Sequence, residues 1–111
     1  MVPVKAYFWE GPATRFVHIA TVNVPDTELS TTGILRYAVR ALTNDKGKWS
    51  LPQWVHDQRN WDWSEDIELK IPYKEFQGQL IGHRSITLGD RLELGEKLFE
   101  IQPPGFVVVT P

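Results

Sequence analysis

The chain has 111 residues, 41% hydrophobic and 23% charged, a composition that fits one globular domain and excludes a disordered or fibrous segment. Twelve Lys and Arg against fourteen Asp and Glu leave a formal charge of −2, which excludes a protein that grips extended nucleic acid by overall charge. The absence of cysteine excludes disulfide scaffolds, thiolate zinc sites and cysteine nucleophiles, and fits a reducing compartment.

The N-terminal residues lack the apolar stretch of a signal peptide, and no later run approaches the roughly eighteen apolar residues of a membrane span, so a cytoplasmic protein without membrane contact is expected. Residues 2–8 and 15–24 are β-branched and aromatic runs separated by the turn signal Glu10-Gly11-Pro12, which predicts a hairpin. In the second run Phe16, His18, Ala20 and Val22 are expected on one face and Val17, Ile19 and Thr21 on the other. Neither face is strongly polar, as for a strand covered on both sides. A helix follows, capped by Ser30, Thr31 or Thr32. Its apolar stripe is Ile34, Leu35, Ala38, Ala41 and Leu42, and it ends in the polar turn at residues 43–47. Arg36 and Arg40, four residues apart, fall together on the opposite, solvent-facing side.

From residue 80 onward the pattern is β. Gly95-Glu96 between Leu94 and Lys97 has the glycine that a type II′ turn requires at its first central position. The resulting register pairs Arg91 with Glu100 and Leu92 with Phe99, and places Leu92, Leu94, Phe99 and Ile101 on one face. Pro103-Pro104-Gly105 then turns the chain into a last strand at residues 106–109. Between helix and hairpin, residues 44–79 show no sustained period and read as a long insertion loop. Its only alternating piece, residues 67–71, is expected as an edge strand because Pro72 follows. The predicted architecture is a single α+β domain over 1–111, a bent antiparallel sheet of five or six strands with one helix packed on one face.

The insertion holds four of the five tryptophans, Trp49, Trp54, Trp61 and Trp63, within fifteen residues. Trp61 and Trp63, two apart, form a platform for a base, a sugar or an apolar partner if the segment is extended. Among polar neighbours, Trp63 is expected to be the exposed ring. Equally, the rings can close one end of the core as a lid. Five acids and one Arg lie between Asp57 and Glu68, a stretch suited to mimic nucleic acid or to meet a basic groove, or simply to be solvated. Arg36, Arg40, Lys46 and Lys48, with Trp49 nearby, have the chemistry to hold a phosphate and stack a base.

His18, His56 and His83 lack ligand spacing, so no metal is expected. No glycine pattern marks a nucleophile elbow, a phosphate loop or a dinucleotide site, so no catalytic residue and no cofactor is assigned. A small hydrolase using His56 or His83 with nearby carboxylates is the weakest of the functional readings.

Two blocks carry a likeness. Thr43-Asn44 followed by Trp49, and Arg84-Ser85 through Gly89-Asp90 to Gly105-Phe106, resemble a group of small uncharacterised bacteriophage- and plasmid-borne proteins. The resemblance implies a mobile-element origin and expression in a bacterial cytoplasm, and implies no activity. Arg84 in the second block is a candidate anion or partner contact near the Trp loop. The leading expectation is a non-enzymatic binding protein of phage type that interferes with host antiviral defence. Its partner is a host defence protein or a small phosphorylated or cyclic nucleotide, and the binding set is Arg36, Arg40, Trp49, Trp54, Trp61, Trp63 and Arg84. The alternative is a virion structural or assembly protein or an accessory interaction module, in which the Trp loop is an oligomer contact; a homo-oligomer is expected under either.

Overall fold

A computed structural model describes residues 1–109. Strands β1 (Val2–Glu10) and β2 (Arg15–Val24) form the expected antiparallel hairpin. Helix α1 (Thr31–Ala41) follows, and Ser30 caps it, its hydroxyl accepting from the Gly33 amide at 3.0 Å. Ile34, Leu35 and Ala38 turn its apolar stripe onto β1 and β2. Short strands then follow: β3 (Trp54–Val55), β4 (Gln58–Arg59), β5 (Ile67–Leu69), β6 (Lys74–Phe76) and β7 (Gln79–Ile81). The chain closes with β8 (Arg91–Leu94), β9 (Lys97–Gln102) and β10 (Gly105–Val108).

Six strands make one antiparallel sheet in the order β10-β9-β8-β1-β2-β5, with the helix on one face, so the α+β architecture is as predicted. The β8–β9 hairpin adopts the predicted register, Arg91 opposite Glu100 and Leu92 opposite Phe99, and the Arg91–Glu100 ion pair closes at 3.2 Å. Gly95 has φ of 61° and Glu96 does not have a positive φ, as a type II′ turn demands. β5 is the expected edge strand, hydrogen-bonded to β2. No helix among the described residues is long and apolar enough to cross a membrane.

Two expectations are corrected. In β2, Ala20 pairs with Ala6 but His18 pairs with Tyr7, so Ile19 is an extra, bulged residue. The bulge inverts the alternation: Phe16 and His18 lie with Trp9 and Tyr7 on the helix-free face, opposite Ala20 and Val22. There His18 stacks on Tyr7 (ring centroids 5.1 Å apart) and Phe16 meets Trp9 at 5.0 Å. The second correction concerns residues 44–79, which are not one irregular loop. They contribute β5 to the main sheet and fold β3–β4 and β6–β7 into two-stranded ribbons, the second reaching Ile81. Each ribbon turns through two residues of positive φ, His56 (48°) with Asp57 (64°) and Gln77 (51°) with Gly78 (79°), as type I′ turns do.

The core lies between the sheet and α1. Val4, Ala6 and Phe8 from β1, Ala20, Val22 and Val24 from β2, and Leu92 and Phe99 from the last hairpin pack against the helix stripe. Trp49 joins them, only 2% exposed, its ring edge-on to Phe8 at 5.9 Å.

Candidate functional site

Arg36 and Arg40, one turn apart on α1, form one wall of an open cleft of about 470 Å³; Trp61, Asp62 and Trp63 form the other, with Tyr37 between them. The helix brings the two guanidinium groups to one side by its period. The opposing wall is placed by hydrogen bonds. Asn60, 7% exposed, donates its amide to the carbonyls of Lys48, Leu51 and Pro52 at 2.6, 3.1 and 3.2 Å. Its Oδ1 accepts from the amides of Lys48 and Asp62 at 3.1 and 3.2 Å. The Asp62 carboxylate in turn accepts from the successive amides of Asp45, Lys46 and Gly47 at 2.6, 3.3 and 2.8 Å, a backbone nest filled by a side chain. Gly47 is required there, because a Cβ at that position would overlap the Asn60 Oδ1.

The charge of the site follows from which groups are already matched. Of the five acids between Asp57 and Glu68, Asp62 is held by the nest, Asp66 accepts from the Tyr37 hydroxyl at 2.7 Å, and Glu68 accepts from Asn23 at 3.3 Å. Hydrogen bonding to Asp66, aided by burial and the carboxylate charge, pushes the Tyr37 phenol above its ordinary pKa. Among the described residues the ion pairs are Arg15–Glu10, Arg84–Asp90 and Arg91–Glu100, so neither Arg36 nor Arg40 is neutralised by a carboxylate. The lining of the cleft thus carries two guanidinium groups and one carboxylate, Asp62, whose oxygens are turned to the backbone nest, while the other acids of the stretch lie outside that lining. Such a cleft offers guanidinium forks for an anion and indoles for a planar apolar group.

Four of the seven candidates, Arg36, Arg40, Trp61 and Trp63, meet in this cleft. Trp63 is exposed as expected but at 40% is less open than Trp61 (65%) and Trp54 (58%). Trp54 does not line the cleft; it sits on the β3–β4 ribbon opposite Arg59. Trp49 and Arg84 are corrections. Trp49 is a core residue, 2% exposed, because its indole donates to the Arg84 carbonyl at 3.0 Å and its amide to the Asn44 Oδ1 at 2.9 Å, contacts that hold the ring against Phe8. The Arg84 guanidinium is engaged with Asp90, itself 1% exposed, through contacts of 2.6 and 2.8 Å, and lies over the Phe8 ring at 4.5 Å. The hydrogen bonds to Asp90 lift its pKa above the ordinary arginine value against the opposing effect of burial.

The residues that sequence reasoning missed are Tyr37, Arg59, Asn60 and the structural role of Asp62. For Tyr37 a signal existed: it stands next to Arg36 and three before Arg40, on the same flank of the helix. Arg59 lies over the Trp61 ring at 4.4 Å, a cation–π contact between residues two apart, the same spacing that pairs Trp61 with Trp63. Among the described residues no three His, Cys, Asp or Glu side chains gather as metal ligands. Compared with models of known protein families, with curated proteins and with solved structures, the chain matches none of them.

Proposed function

We propose that the protein is a non-enzymatic binding protein that sequesters a small phosphorylated or cyclic nucleotide, and that it does so to interfere with a bacterial host's antiviral defence. The observation that carries this is the opposition, across one cleft, of Arg36 and Arg40, which make no ion pair among the described residues, to Trp61 and Trp63. Phosphate oxygens match the guanidinium forks and a base matches the indole faces. The cleft volume of about 470 Å³ falls in the range of small-ligand sites. Guanidinium and indole groups bind and orient but supply neither nucleophile nor general base, and the Asp62 carboxylate is occupied by three backbone amides. Binding without turnover is the activity these groups support.

The test is direct. The purified protein is examined for small molecules released by heat, and its Trp fluorescence is titrated with mono- and cyclic nucleotides. Saturable quenching by nucleotides that disappears in Arg36→Ala/Arg40→Ala supports the proposal. No nucleotide binding, with a host protein recovered by pull-down instead, overturns it.

A second reading, occupation of a host protein surface, draws on a different observation. The β6–β7 ribbon and the β3–β4 ribbon expose Phe76 (63%), Ile81 (50%) and Trp54 (58%), apolar groups that a partner would cover. Loss of pull-down in Phe76→Ser with nucleotide binding retained would assign that ribbon to a protein partner.

A further inference from the structure

Trp61 stands on a ridge between two depressions. On one side is the cleft of Arg36 and Arg40. On the other, Lys46, Lys48, His56 and Arg59 line a second depression of about 370 Å³ over Leu51 and Val55, with no acid in its lining. Among the described residues Lys46, Lys48 and Arg59 make no ion pair, so this side too carries unmatched positive charge. The two are joined through the ridge itself. Arg59, which lines the second depression, lies over the Trp61 ring that lines the first, 4.4 Å from its centroid.

The ridge is also braced from both sides. Asn60 ties it to the Lys48 and Leu51 backbone, and Asp62 ties it to the amides of residues 45–47. The backbone that carries Lys46 and Lys48 and the backbone that carries Trp61 are thus held together by one hydrogen-bonded segment. In a chain of net charge −2, five of the twelve basic residues, Arg36, Arg40, Lys46, Lys48 and Arg59, surround one exposed tryptophan. One phosphate beside one base would use only half of this arrangement.

We infer that the ligand is a dinucleotide that straddles Trp61, one phosphate held by Arg36 and Arg40, the second by Lys46, Lys48 and Arg59, with a base against the indole between them. This rests on the nucleotide reading above and narrows it from any phosphorylated nucleotide to a class with two separated phosphodiester or phosphate groups. Cyclic and linear dinucleotides share that chemistry, so both serve as probes. Lys46 and Lys48 project their charges into solvent from an amide-braced turn, and phosphate recognition by flexible ammonium groups adds to the forked grip of the arginines. Because two anchored phosphates share one binding event, each cluster raises the effective concentration of ligand at the other.

The experiment compares AMP, linear pApA and 3′,5′-cyclic di-AMP by calorimetry on the wild-type chain, Lys46→Ala/Lys48→Ala and Arg36→Ala/Arg40→Ala, each checked for an unchanged melting curve. For the wild type, at least one dinucleotide binds about tenfold or more tighter than AMP, the tenfold being about 1.4 kcal/mol. In Lys46→Ala/Lys48→Ala that advantage vanishes while AMP affinity stays within about twofold, well under the roughly 1.4 kcal/mol of a tenfold change. Equal affinity for AMP and both dinucleotides, or dinucleotide binding indifferent to the two lysines, overturns the straddling geometry and leaves the nucleotide cleft standing. Failure of all three probes to bind removes the nucleotide reading and this inference together.

Discussion

Trp49 and Arg84, thirty-five residues apart, are joined by a hydrogen bond of 3.0 Å from the indole nitrogen of one to the backbone carbonyl of the other. The bond belongs to a chain of contacts that unites the two sequence blocks. Asn44 accepts from the Trp49 amide at 2.9 Å and donates to the His83 carbonyl at 3.1 Å, while the Ser85 hydroxyl accepts from the Asn44 amide at 2.8 Å. Arg84 then reaches Asp90, whose carboxylate also accepts from the amides of Trp9 and Thr87 at 2.8 and 2.9 Å. The Asn–Trp segment and the Arg-Ser…Gly-Asp segment are thus two halves of one internal brace. Their residues are explained by folding without any ligand.

Trp49→Phe keeps most of the buried ring and loses the indole donor, leaving the Arg84 carbonyl unmatched. It is expected to lower stability by about 1–3 kcal/mol. Trp49→Ala also opens a cavity beside Phe8 and costs about 3–5 kcal/mol. Urea unfolding midpoints check both, and equal midpoints for wild type and Trp49→Ala would remove Trp49 from the core.

Arg84 and the helix arginines are expected to separate cleanly. Arg84→Ala strips the buried Asp90 carboxylate of its cation but leaves it two backbone amides, and the loss is about 1–3 kcal/mol of stability. Arg36→Ala and Arg40→Ala, on an exposed helix face, change stability by about 0.5 kcal/mol or less. Nucleotide affinity moves in the opposite sense, falling in the helix variants and persisting in folded Arg84→Ala.

Gly47→Ala drives a methyl group into the buried Asn60 amide, which has several fixed partners and cannot swing aside. A loss of about 1–3 kcal/mol is expected, as for overpacking elsewhere. The Trp61 ridge moves with it, so nucleotide affinity drops in the same variant. Thermal melting and fluorescence titration of this variant read the two effects separately.

His18 sets part of the acid sensitivity. Burial holds its imidazole below the ordinary value, against a smaller opposing contribution from its backbone hydrogen bond at Ala20. The unfolded chain therefore takes up a proton at higher pH than the folded chain. Stability present above about pH 6.5 is lost as the pH falls from there through the depressed folded value. His18→Gln is expected to flatten the fall of Tm below about pH 6.5. Parallel Tm curves for the two proteins would place the sensitivity elsewhere.

What the amino-acid sequence by itself determined is the locally encoded part of this protein. The Gly95-Glu96 turn with its flanking alternation specified the β8–β9 register, and Ser30 with the apolar stripe specified α1, because the physics of a turn or a cap involves only near neighbours. The same period set Arg36 and Arg40 side by side. The bulge at Ile19 was decided by the tertiary structure, since only pairing with β1 reveals which residue of β2 is skipped. So was the fate of the tryptophans. Nothing local distinguishes Trp49, sealed under the sheet, from Trp61, open on its ridge. The difference lies in hydrogen bonds between distant segments, from the Trp49 indole to the Arg84 carbonyl and from Asn60 to the Lys48 carbonyl, that close only when the chain is folded. Charge followed the same rule. The sequence between Asp57 and Glu68 is acidic, yet folding hydrogen-bonds three of its five carboxylates to amides and a hydroxyl and gathers cations from α1, the 46–48 turn and β4 around Trp61, because electrostatic character belongs to surfaces in space rather than to segments of chain.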